Sequence, residues 1–281
     1  MDIYRKILVI GAQGQLGQEI MKVFAQYAPH GIAIEDLDLS CPPKVVEYLE
    51  TFQPTLVINC AAYNDVDGAE INTSEPFLIN AITPGYISKW CKEYAVPFVQ
   101  YSTDYVFDGT HKNGYTEDVA PSPISVYAQS KALMEQLCAG SYIIRTSYIF
   151  GRGSSFNFVR AIINSAQSGK DLTVVDDQVH CYTHAHDLAL QTKYILDHSL
   201  PVGIYHITNE GGMSLYGLAQ IIVSLLGLAN TITPVSTDEY YKGKTTPVAK
   251  RPLFSALINT KLPSMRSIKE ALEEYIVSTK I

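Results

Sequence analysis

The chain has 281 residues, of which 47% are hydrophobic and 17% charged, and its formal net charge at pH 7 is −7. A chain of this length buries a full core without disulfides or metals, as one large α/β domain or as a large domain with a smaller one. Its 21 Lys and Arg residues are scattered, which argues against a nucleic-acid or membrane-surface role and favours small solutes as partners.

Short apolar runs and helical periodicities alternate along the chain. In order, they predict strands over 7–10, 32–34, 55–60, 96–101 and 142–146, and helices over 15–27, 45–52, 84–94 and 127–138. After Gly151 the pattern is less regular, with helices predicted over 156–168, 185–197, 215–226 and 268–277 and strands near Val174 and over 204–207. Strands that alternate with helices imply right-handed crossovers and an α/β fold with a doubly wound parallel sheet.

Three glycines stand between the first predicted strand and the first predicted helix, in the segment GAQGQLG. Gly11, Gly14 and Gly17 would permit a tight turn, close approach of a pyrophosphate and close packing of the helix on the strand. The spacing is GxxGxxG rather than GxGxxG, which leaves open a loop whose glycines only turn the chain. The favoured interpretation is a Rossmann dinucleotide-binding domain of residues 1–150, rejoined by 176–207, and a smaller C-terminal substrate-binding domain of residues 151–175 and 208–281. The substrate would then bind in the cleft between them.

Acidic side chains follow the second predicted strand. Glu35, Asp36 and Asp38 stand there, and no Arg or Lys occurs between Lys22 and Lys44. Carboxylates at this position accept hydrogen bonds from the ribose hydroxyls of NAD and repel a 2′-phosphate. The sequence therefore favours NADH over NADPH.

Tyr127 and Lys131 are four residues apart in the segment YAQSK. On a helix, positions i and i+4 share a face, so both side chains can reach one bound substrate. The pKa of an unperturbed phenol is about 10, and a nearby ammonium group lowers it toward the range where the phenol exchanges a proton with a carbonyl or hydroxyl. Alone, the pair is also typical of an ordinary solvated helix face.

Several further blocks carry a resemblance to a known family. They are NCAAYNDVDGAE at 59–70, YSTDYVFDG at 101–109, YAQSK at 127–131, RTS at 145–147 and TTPVAKRP at 245–252, with shorter matches between them. With the glycines, they resemble the extended short-chain dehydrogenase/reductase superfamily and, within it, the dTDP-4-dehydrorhamnose reductases, over nearly the whole chain. GxxGxxG and YxxxK are shared by the superfamily, whereas STDYVFDG and the late RP are more specific to this family.

The resemblance implies reduction of the C4 keto group of a nucleotide-activated deoxysugar by NADH or NADPH, and most specifically of dTDP-4-dehydro-L-rhamnose to dTDP-L-rhamnose. It implies that Thr103 hydrogen-bonds the substrate carbonyl, that Tyr127 donates the proton, and that Lys131 binds the nicotinamide ribose and lowers the pKa of the phenol.

The implied cofactor-binding residues are Gly11, Gln13, Gly14, Gln15, Leu16, Gly17, Asp36, Asp38, Leu39, Ala61, Ala62, Tyr63, Tyr127 and Lys131. The implied substrate-binding residues are Val66, Thr103, Asp104, Tyr105, Tyr148 and Arg251. The expected partner is a dTDP-linked 4-keto-6-deoxy sugar, and the expected assembly is a monomer or a homodimer.

The chain departs from the family pattern in the expected sugar pocket. Tyr148 stands where the family usually has Trp after RTS, and DQVHCYT replaces DQxGxPT, with His180 for glycine and Tyr182 for proline. Ala128 also replaces the usual glycine after the catalytic tyrosine. The pocket changes leave a related 4-keto-6-deoxy sugar open as the substrate.

His180, His184 and His186 are close enough in sequence to share a metal ion. However, Asp187-Leu188-Ala189 matches the start of a helix in the family. The sequence therefore favours His184 and His186 beside that helix start, without a metal.

Two other functions are compatible with the same motifs. An epimerase or dehydratase of a sugar nucleotide would keep the cofactor and return the hydride within one turnover. A non-catalytic NADP-binding regulatory subunit would need the fold but no proton donor, so the presence of Thr103, Tyr127 and Lys131 together argues against it.

The N-terminus and the cysteines bear on the compartment. MDIYRKILVIG has an acidic second residue and a short apolar run, unlike a signal peptide, and no later stretch reaches the roughly 18 apolar residues of a membrane span. The five cysteines include no CxxC pair, which suits buried thiols in a reducing compartment. We expect a cytoplasmic protein.

Overall fold

The computed structural model describes residues 3–33, 35–153, 157–243 and 245–278. Its strands are β1 (Ile7–Ile10), β2 (His30–Ile32), β3 (Leu56–Asn59), β4 (Phe98–Thr103), β5 (Tyr142–Thr146), β6 (Ile149–Phe150), β7 (Leu172–Val175), β8 (Val179–His180), β9 (Thr183–His184), β10 (Gly203–His206), β11 (Met213–Ser214) and β12 (Ile232–Val235). Its α-helices are α1 (Gln15–Val23), α2 (Pro42–Phe52), α3 (Ser74–Phe77), α4 (Thr83–Glu93), α5 (Val126–Leu137), α6 (Phe158–Gln167), α7 (Ala185–Asp197), α8 (Leu215–Leu225), α9 (Thr237–Tyr241) and α10 (Ile268–Ser278).

A six-stranded sheet with the order β10-β5-β4-β3-β1-β2 forms the centre, and all its strand pairs are parallel. The order reverses at β1, which lies between β2 and β3. In such a sheet, ligands bind outside the carboxyl ends of the strands at this switch point. The prediction of an α/β doubly wound parallel sheet is confirmed.

The buried run of β1 shows why helices cover both faces. Successive residues of a strand point to opposite sides. Ile7 and Val9 pack with apolar residues of α1 and α7, while Leu8 and Ile10 pack with residues of α2, α4 and α5. A continuous apolar strand is stable only when both faces are covered in this way.

A second core lies beyond the sheet and combines α6, α8 and α10 with the parallel β7–β12 pair. Phe150 and Tyr182 also belong to it. By contrast, β10 pairs with β5 in the main sheet. Leu188 and Ile195 of α7 belong to the same apolar cluster as the buried residues of α1. These pairings favour the predicted return of the chain to the first domain, and the division into two domains stays a prediction.

Most predicted elements appear, with shifted ends. The second strand pairs over His30–Ile32 rather than over 32–34, and residue 34 lies outside the described ranges. Helix α2 begins at Pro42 rather than at residue 45, since proline suits the first turn of a helix. Helix α6 begins after Asn157, whose side chain caps it, and residue 156 of the prediction is outside the described ranges.

Several short elements were not predicted. Strands β6, β8, β9 and β11 have two residues each, too few for any periodicity. Strand β12 was not predicted because it contains Pro234, and a proline has no N–H to donate within a sheet. The structure accommodates this proline because β12 is an edge strand of a two-stranded sheet. In the described part of the chain, no helix is long and apolar enough to cross a membrane.

Candidate active site

The turn between β1 and α1 requires glycine because the neighbouring backbone leaves no room for side chains. Gly11 has φ +75°, and a Cβ there would lie 2.7 Å from the backbone nitrogen of Ala61. A Cβ at Gly17 would lie 2.1 Å from the carbonyl oxygen of Gly11. The chain after β3 therefore sits directly against the turn, and the α1 N-terminus begins where an anion can approach it.

We expect Gly17→Ala to cost about 3 kcal/mol of unfolding free energy, because the methyl group would meet backbone that cannot move away. Urea denaturation measures this cost. Gly217→Ala is the matched control: a Cβ on Gly217 of α8 would meet nothing closer than 3.5 Å, so alanine should be neutral or stabilise the helix by up to about 1 kcal/mol. Equal stability of the Gly17→Ala variant and the parent would contradict the steric argument.

A cavity of about 530 Å³ runs from this turn along the carboxyl ends of the strands. It brings together eight of the residues predicted for the cofactor and substrate, namely Gly14, Gln15, Leu16, Ala62, Thr103, Tyr127, Lys131 and Tyr148. The predicted shared face of Tyr127 and Lys131 on one helix is confirmed, since both line this cavity from α5.

Other predicted cofactor residues lie away from the cavity wall. The Asp36 carboxylate accepts from the backbone N–H of Ala33 at 2.9 Å. The Asp38 carboxylate accepts from the N–H and hydroxyl of Ser40 at 2.8 and 2.7 Å, and these bonds lower the pKa of Asp38. Leu39 is buried in the core under α2 and α4. The two carboxylates thus brace their own loop, although both side chains remain exposed.

The remaining members of that predicted set surround the turn. Gln13 is exposed, Gly11 and Gly17 form the turn itself, and Ala61 packs against Gly11. The backbone N–H of Tyr63 is held by the Asn80 side chain at 2.8 Å.

Tyr127 is a buried phenol beside Thr103. Burial raises its pKa above the usual range, the charge of Asp104 adds to the rise, and a hydrogen bond with the Thr103 side chain opposes it. Desolvation dominates, so the pKa of this phenol is raised overall, and the expected lowering contribution of Lys131 stays a prediction. A phenol in this environment is fully protonated at neutral pH, which is the form a proton donor needs.

Lys131 is 4% exposed, and its Nζ donates to the backbone oxygen of Tyr101 at 3.2 Å. Burial lowers the pKa of Lys131 to about 8, and the charge of Glu135 opposes this shift. The ammonium group is therefore close to its titration point near neutral pH.

Thr103 ends β4 and caps the following turn. Its hydroxyl donates to Asp104 Oδ1 at 3.1 Å and accepts from the N–H of Tyr105 at 3.2 Å. A hydroxyl has one proton, and here that proton is directed at Asp104. The predicted bond from Thr103 to a substrate carbonyl would require this hydroxyl to turn.

Asp104 lies behind the cavity wall rather than on it. It is 1% exposed, its Oδ2 accepts from the Ser255 hydroxyl, and that oxygen lies 3.2 Å from His180 Nδ1. His180 Nδ1 is also 2.6 Å from Ser255 Oγ. Partners from later in the chain thus occupy the Asp104 carboxylate, and its role as a substrate contact stays a prediction.

Three tyrosines lie together at one side of the cavity, where the sequence predicts the sugar pocket. Tyr148 and Tyr182 line it, as expected for pocket residues, and the hydroxyls of Tyr148 and Tyr105 are 3.0 Å apart. Tyr148 has φ +38°, a left-handed conformation that costs a residue with a side chain about 1 kcal/mol or more. His180 lies beneath, with its ring centroid 4.7 Å from that of Tyr148. Val66 packs beside Tyr105 in the same apolar cluster and is not on the cavity wall.

Arg251 is held by a carboxylate. Its NH1 and NH2 groups each donate to Asp67 at 3.0 Å, and NH1 also donates to the Ala249 carbonyl. These bonds raise the pKa of Arg251 further above its usual value. Arg251 does not line the cavity, so the substrate contact implied for it would need Arg251 to leave Asp67 or to share it, and that role stays a prediction.

The histidine cluster does not converge. His186 Nδ1 contacts Glu19 at 3.1 Å, and His184 Nδ1 lies 3.2 Å from Arg266. Within the described ranges, no group of three or more His, Cys, Asp or Glu side chains is placed to hold a metal ion. His184 precedes the first residue of α7, as expected for a residue at that helix start.

Some site residues were missed by sequence reasoning. Asn157 caps α6 and donates to Gln15 Oε1 at 3.1 Å, which ties the second core to the glycine turn. Asn80 bonds Tyr63 and also Ser130 of α5 at 3.1 Å. Asn before an apolar helical run was a usable capping signal for Asn157, whereas the Asn80 bonds join distant segments and leave no local pattern.

Comparisons with known proteins identify the family of the chain. The sequence model of the family described as RmlD substrate binding domain matches residues 5–280. The chain is 36% identical over 281 residues to the spore coat polysaccharide biosynthesis protein SpsK of Bacillus subtilis (strain 168), with 96% of each chain covered. It is 32% identical over 278 residues to a dTDP-4-dehydrorhamnose reductase of Aggregatibacter actinomycetemcomitans, with 92% of each covered. Its fold is similar to the crystal structure of a dTDP-4-dehydrorhamnose reductase from Bacillus anthracis in complex with NADP, with a TM-score of 0.91, 30% identity, and 98% of this chain and 99% of that chain covered.

Proposed function

We propose a function from one premise: the chain belongs to the family described as the RmlD substrate binding domain. The protein is an oxidoreductase that reduces the C4 keto group of a nucleotide-activated deoxysugar with NADH or NADPH. The most specific assignment is dTDP-4-dehydro-L-rhamnose to dTDP-L-rhamnose. The observation that carries the proposal is the single cavity that joins the glycine turn to Tyr127, Lys131 and Thr103.

The chain fits a nicotinamide dinucleotide. Gly14 lines the cavity without a side chain, so a ligand there can come close to the backbone of the turn, and the N–H groups at the start of α1 can bind an anion. Gly14, Gln15 and Leu16 would hold the pyrophosphate end and Lys131 the ribose near the reacting ring. When bound, this cofactor supplies a hydride to the sugar carbon.

The residues of the chain supply the proton and the orientation. Tyr127 donates its phenolic proton to the oxygen of the keto group as that oxygen gains electrons, so the carbonyl becomes a hydroxyl. Its raised pKa keeps the proton in place until then. Lys131, buried on the same face, stabilises the phenolate that remains.

The test follows oxidation of NADH and NADPH over a panel of dTDP-, UDP- and GDP-linked 4-keto sugars. We expect one cofactor to be oxidised for each sugar reduced, with dTDP-4-dehydro-L-rhamnose among the best substrates. With a cofactor that carries deuterium as the transferred hydride, the label should appear at C4 of the product. Sugar conversion without net oxidation would instead indicate an epimerase or dehydratase, and binding without turnover would indicate a regulatory subunit.

The choice between NADH and NADPH is a finer proposal. The exposed carboxylates of Asp36 and Asp38 near the end of β2 favour NADH, because they repel a 2′-phosphate. The similar protein from Bacillus anthracis was solved with NADP, and that observation favours NADPH. We expect a higher kcat/KM for NADH from the charges of this chain, and a higher value for NADPH would overturn that preference without affecting the proposed reaction.

Affinity for the cofactor should depend on pH through Lys131. The pKa of Lys131 in the folded protein is about 8 instead of the usual 10.5, so the ammonium form is lost as the pH rises through about 8. An anionic dinucleotide favours that ammonium form, so we expect the Kd for NADH to rise about tenfold between about pH 7 and pH 9.5. Titration by nucleotide fluorescence measures this change.

Lys131→Arg is the matched control for the pH dependence. An arginine keeps its charge throughout this range, so the Kd of the variant should change by less than about twofold over the same interval. A flat profile for the parent protein, or an equal slope for the arginine variant, would show that another group titrates.

The roles of the two domains, the compartment and the assembly complete the proposal. We propose that residues 1–150 with 176–207 bind the dinucleotide, that residues 151–175 and 208–281 bind the sugar nucleotide, and that the protein acts in the cytoplasm as a monomer or homodimer. The five cysteines are free thiols, which supports a reducing compartment. Light scattering of the purified protein would decide the assembly.

A further inference from the structure

Asp104 follows β4 behind the cavity wall, and its two carboxylate oxygens are held by different parts of the chain. Oδ1 accepts from the hydroxyl of the neighbouring Thr103 at 3.1 Å, and Thr103 lines the cavity. Oδ2 accepts from the Ser255 hydroxyl and lies 3.2 Å from His180 Nδ1. All four residues are buried, so these contacts are made in a low dielectric, away from water.

The hydrogen atoms of this cluster follow from its donors. Ser255 donates its one hydroxyl proton to Asp104, so its oxygen can only accept from His180 Nδ1, which is 2.6 Å away. Nδ1 therefore carries a hydrogen. His180 Nε2 has no partner among the described residues, so within them the ring hydrogen-bonds only through Nδ1. Both residues thus present a hydrogen at Oδ2 of Asp104.

Ser255 and His180 are also fixed relative to each other. His180 belongs to β8, and the backbone N–H of Ser255 donates to the oxygen of Val179 in that strand at 2.9 Å. The N–H of Val179 in turn donates to the oxygen of Leu253 at 2.6 Å. The His180 ring packs on Tyr148, with the centroids 4.7 Å apart. Two donors on a braced segment can therefore hold the carboxylate without the help of the β4 hydroxyl.

From this geometry we propose that Ser255 and His180 are positioning residues for the reduction. They hold the Asp104 carboxylate from behind, so that the Thr103 hydroxyl can turn from it to the keto oxygen of the sugar; this role rests on the proposed function. The bond from Thr103 is weak, because 3.1 Å is long for an O–H···O bond, whose usual length is about 2.7 to 2.8 Å. A buried carboxylate that keeps its other donors loses less when this bond opens. Once turned, the hydroxyl stabilises the keto oxygen as it gains charge.

The experiment compares Ser255→Ala with the parent protein, using the keto sugar that the parent reduces fastest. Without this donor, Asp104 depends more on Thr103 and keeps that hydroxyl turned away from the cavity. Outright removal of a donor to a developing oxyanion costs about 10² to 10³ in rate, and here the donor is only held back, so we expect kcat to fall about tenfold. The Kd for NADH, or for NADPH if that cofactor binds more tightly, should stay within about twofold.

Ser88→Ala is the matched control. Ser88 of α4 is also buried, its hydroxyl lies 3.1 Å from that of Ser141, and neither residue lines the cavity. Its kcat should stay within about twofold of the parent value. His180→Phe is the second variant: it keeps a ring against Tyr148 and removes the Nδ1 donor, while the Ser255 donor remains, so kcat should fall about threefold.

A second background separates positioning from a general loss of structure. In a protein that already carries Thr103→Ala, the hydroxyl to be released is absent. Ser255→Ala and His180→Phe should therefore change kcat by less than about twofold in that background. A purely structural role would cost the same factor in both backgrounds.

The outcomes also separate this inference from the proposed reaction. An unchanged kcat in Ser255→Ala overturns the inference, and so does an equal loss with and without the Thr103 hydroxyl. A raised KM with unchanged kcat would assign Ser255 to substrate binding and overturn it too. If Thr103→Ala reduces the sugar as fast as the parent, the inference fails and the proposed reaction stands. If the parent protein reduces no keto sugar, the proposed function fails together with the inference.

Discussion

Replacing Tyr127 by phenylalanine should lower kcat about a thousandfold while leaving the Kd for NADH within about twofold, because a positioned general acid contributes about 10² to 10⁴ to the rate. The ring of Tyr127 packs with Ala69, Tyr105 and Ala128, and phenylalanine keeps that packing. Only the proton and the bond to Thr103 are lost. Steady-state kinetics with the best keto sugar, together with fluorescence titration of NADH, measure both quantities.

Tyr115→Phe is the matched control for that variant. Tyr115 is also a buried phenol beside a carboxylate, since its hydroxyl donates to Asp108 at 2.7 Å, but it does not line the cavity. We expect its kcat to stay within about twofold of the parent, since no reacting group is removed. If Tyr127→Phe kept more than a tenth of the parent kcat, the proton would have to come from elsewhere and the catalytic assignment would fail.

The environment of Tyr127 also favours one direction of the reaction. Burial and the negative charge of Asp104 raise the pKa of the phenol, so the protonated form persists through neutral pH and reduction has its donor ready. Oxidation of the sugar alcohol would need the phenolate, which is scarce under the same conditions. The reductive rate should therefore show no loss from Tyr127 as the pH rises from neutral toward about 9, whereas the reverse rate should increase.

The sequence predicts the parts of the site that depend on local pattern. Gly11, Gly14 and Gly17 follow an apolar strand and open a helix, and the i, i+4 spacing of Tyr127 and Lys131 places both on one helix face. The structure shows the turn and the shared face because each depends on residues that are near one another in the chain. The same holds for the alternating burial of β1, from which the doubly wound sheet follows.

The sequence could not predict the orientation of side chains that are held by residues far away in the chain. Asp104 faces away from the cavity because Ser255, 151 residues later, donates to it and His180 lies beside it. Arg251 is held by Asp67, which lies 184 residues earlier. The pKa of Tyr127 has the same origin, because the desolvation that raises it depends on how α5 packs rather than on the distance to Lys131 in sequence.

The largest stability effect is expected at a buried ion pair next to the site. Arg145 of β5 is 0% exposed and binds Glu135 of α5 through two bonds, Nε to Oε1 at 2.9 Å and NH2 to Oε2 at 2.7 Å. Ser102 donates to the same carboxylate at 2.5 Å. Ser102 precedes Thr103 and Arg145 precedes Thr146, so the pair braces both strands where the cavity begins.

Arg145→Met should lower the unfolding free energy by about 3 to 5 kcal/mol, because it leaves the Glu135 charge buried without its main partner. The melting temperature should fall by about 10 °C. Lys22→Met is the control: Lys22 is 54% exposed, and its partner Glu19, whose side chain is 9% exposed, keeps a second contact with His186. The loss should therefore stay at about 1 kcal/mol. Urea denaturation and thermal melts give both values.

A second variant separates the loss of a partner from a general loss of packing. Glu135→Leu combined with Arg145→Met removes both members of the pair, so part of the stability lost in the single variant should return. If the double variant is no more stable than Arg145→Met, the loss comes from packing around Phe107, whose ring centroid lies 5.0 Å from the guanidinium. Recovery of stability in the double variant would instead show that the unpaired charge of Glu135 causes the loss in the single variant. In that case the catalytic helix α5 is held on the sheet by an ion pair that neither partner can lose alone.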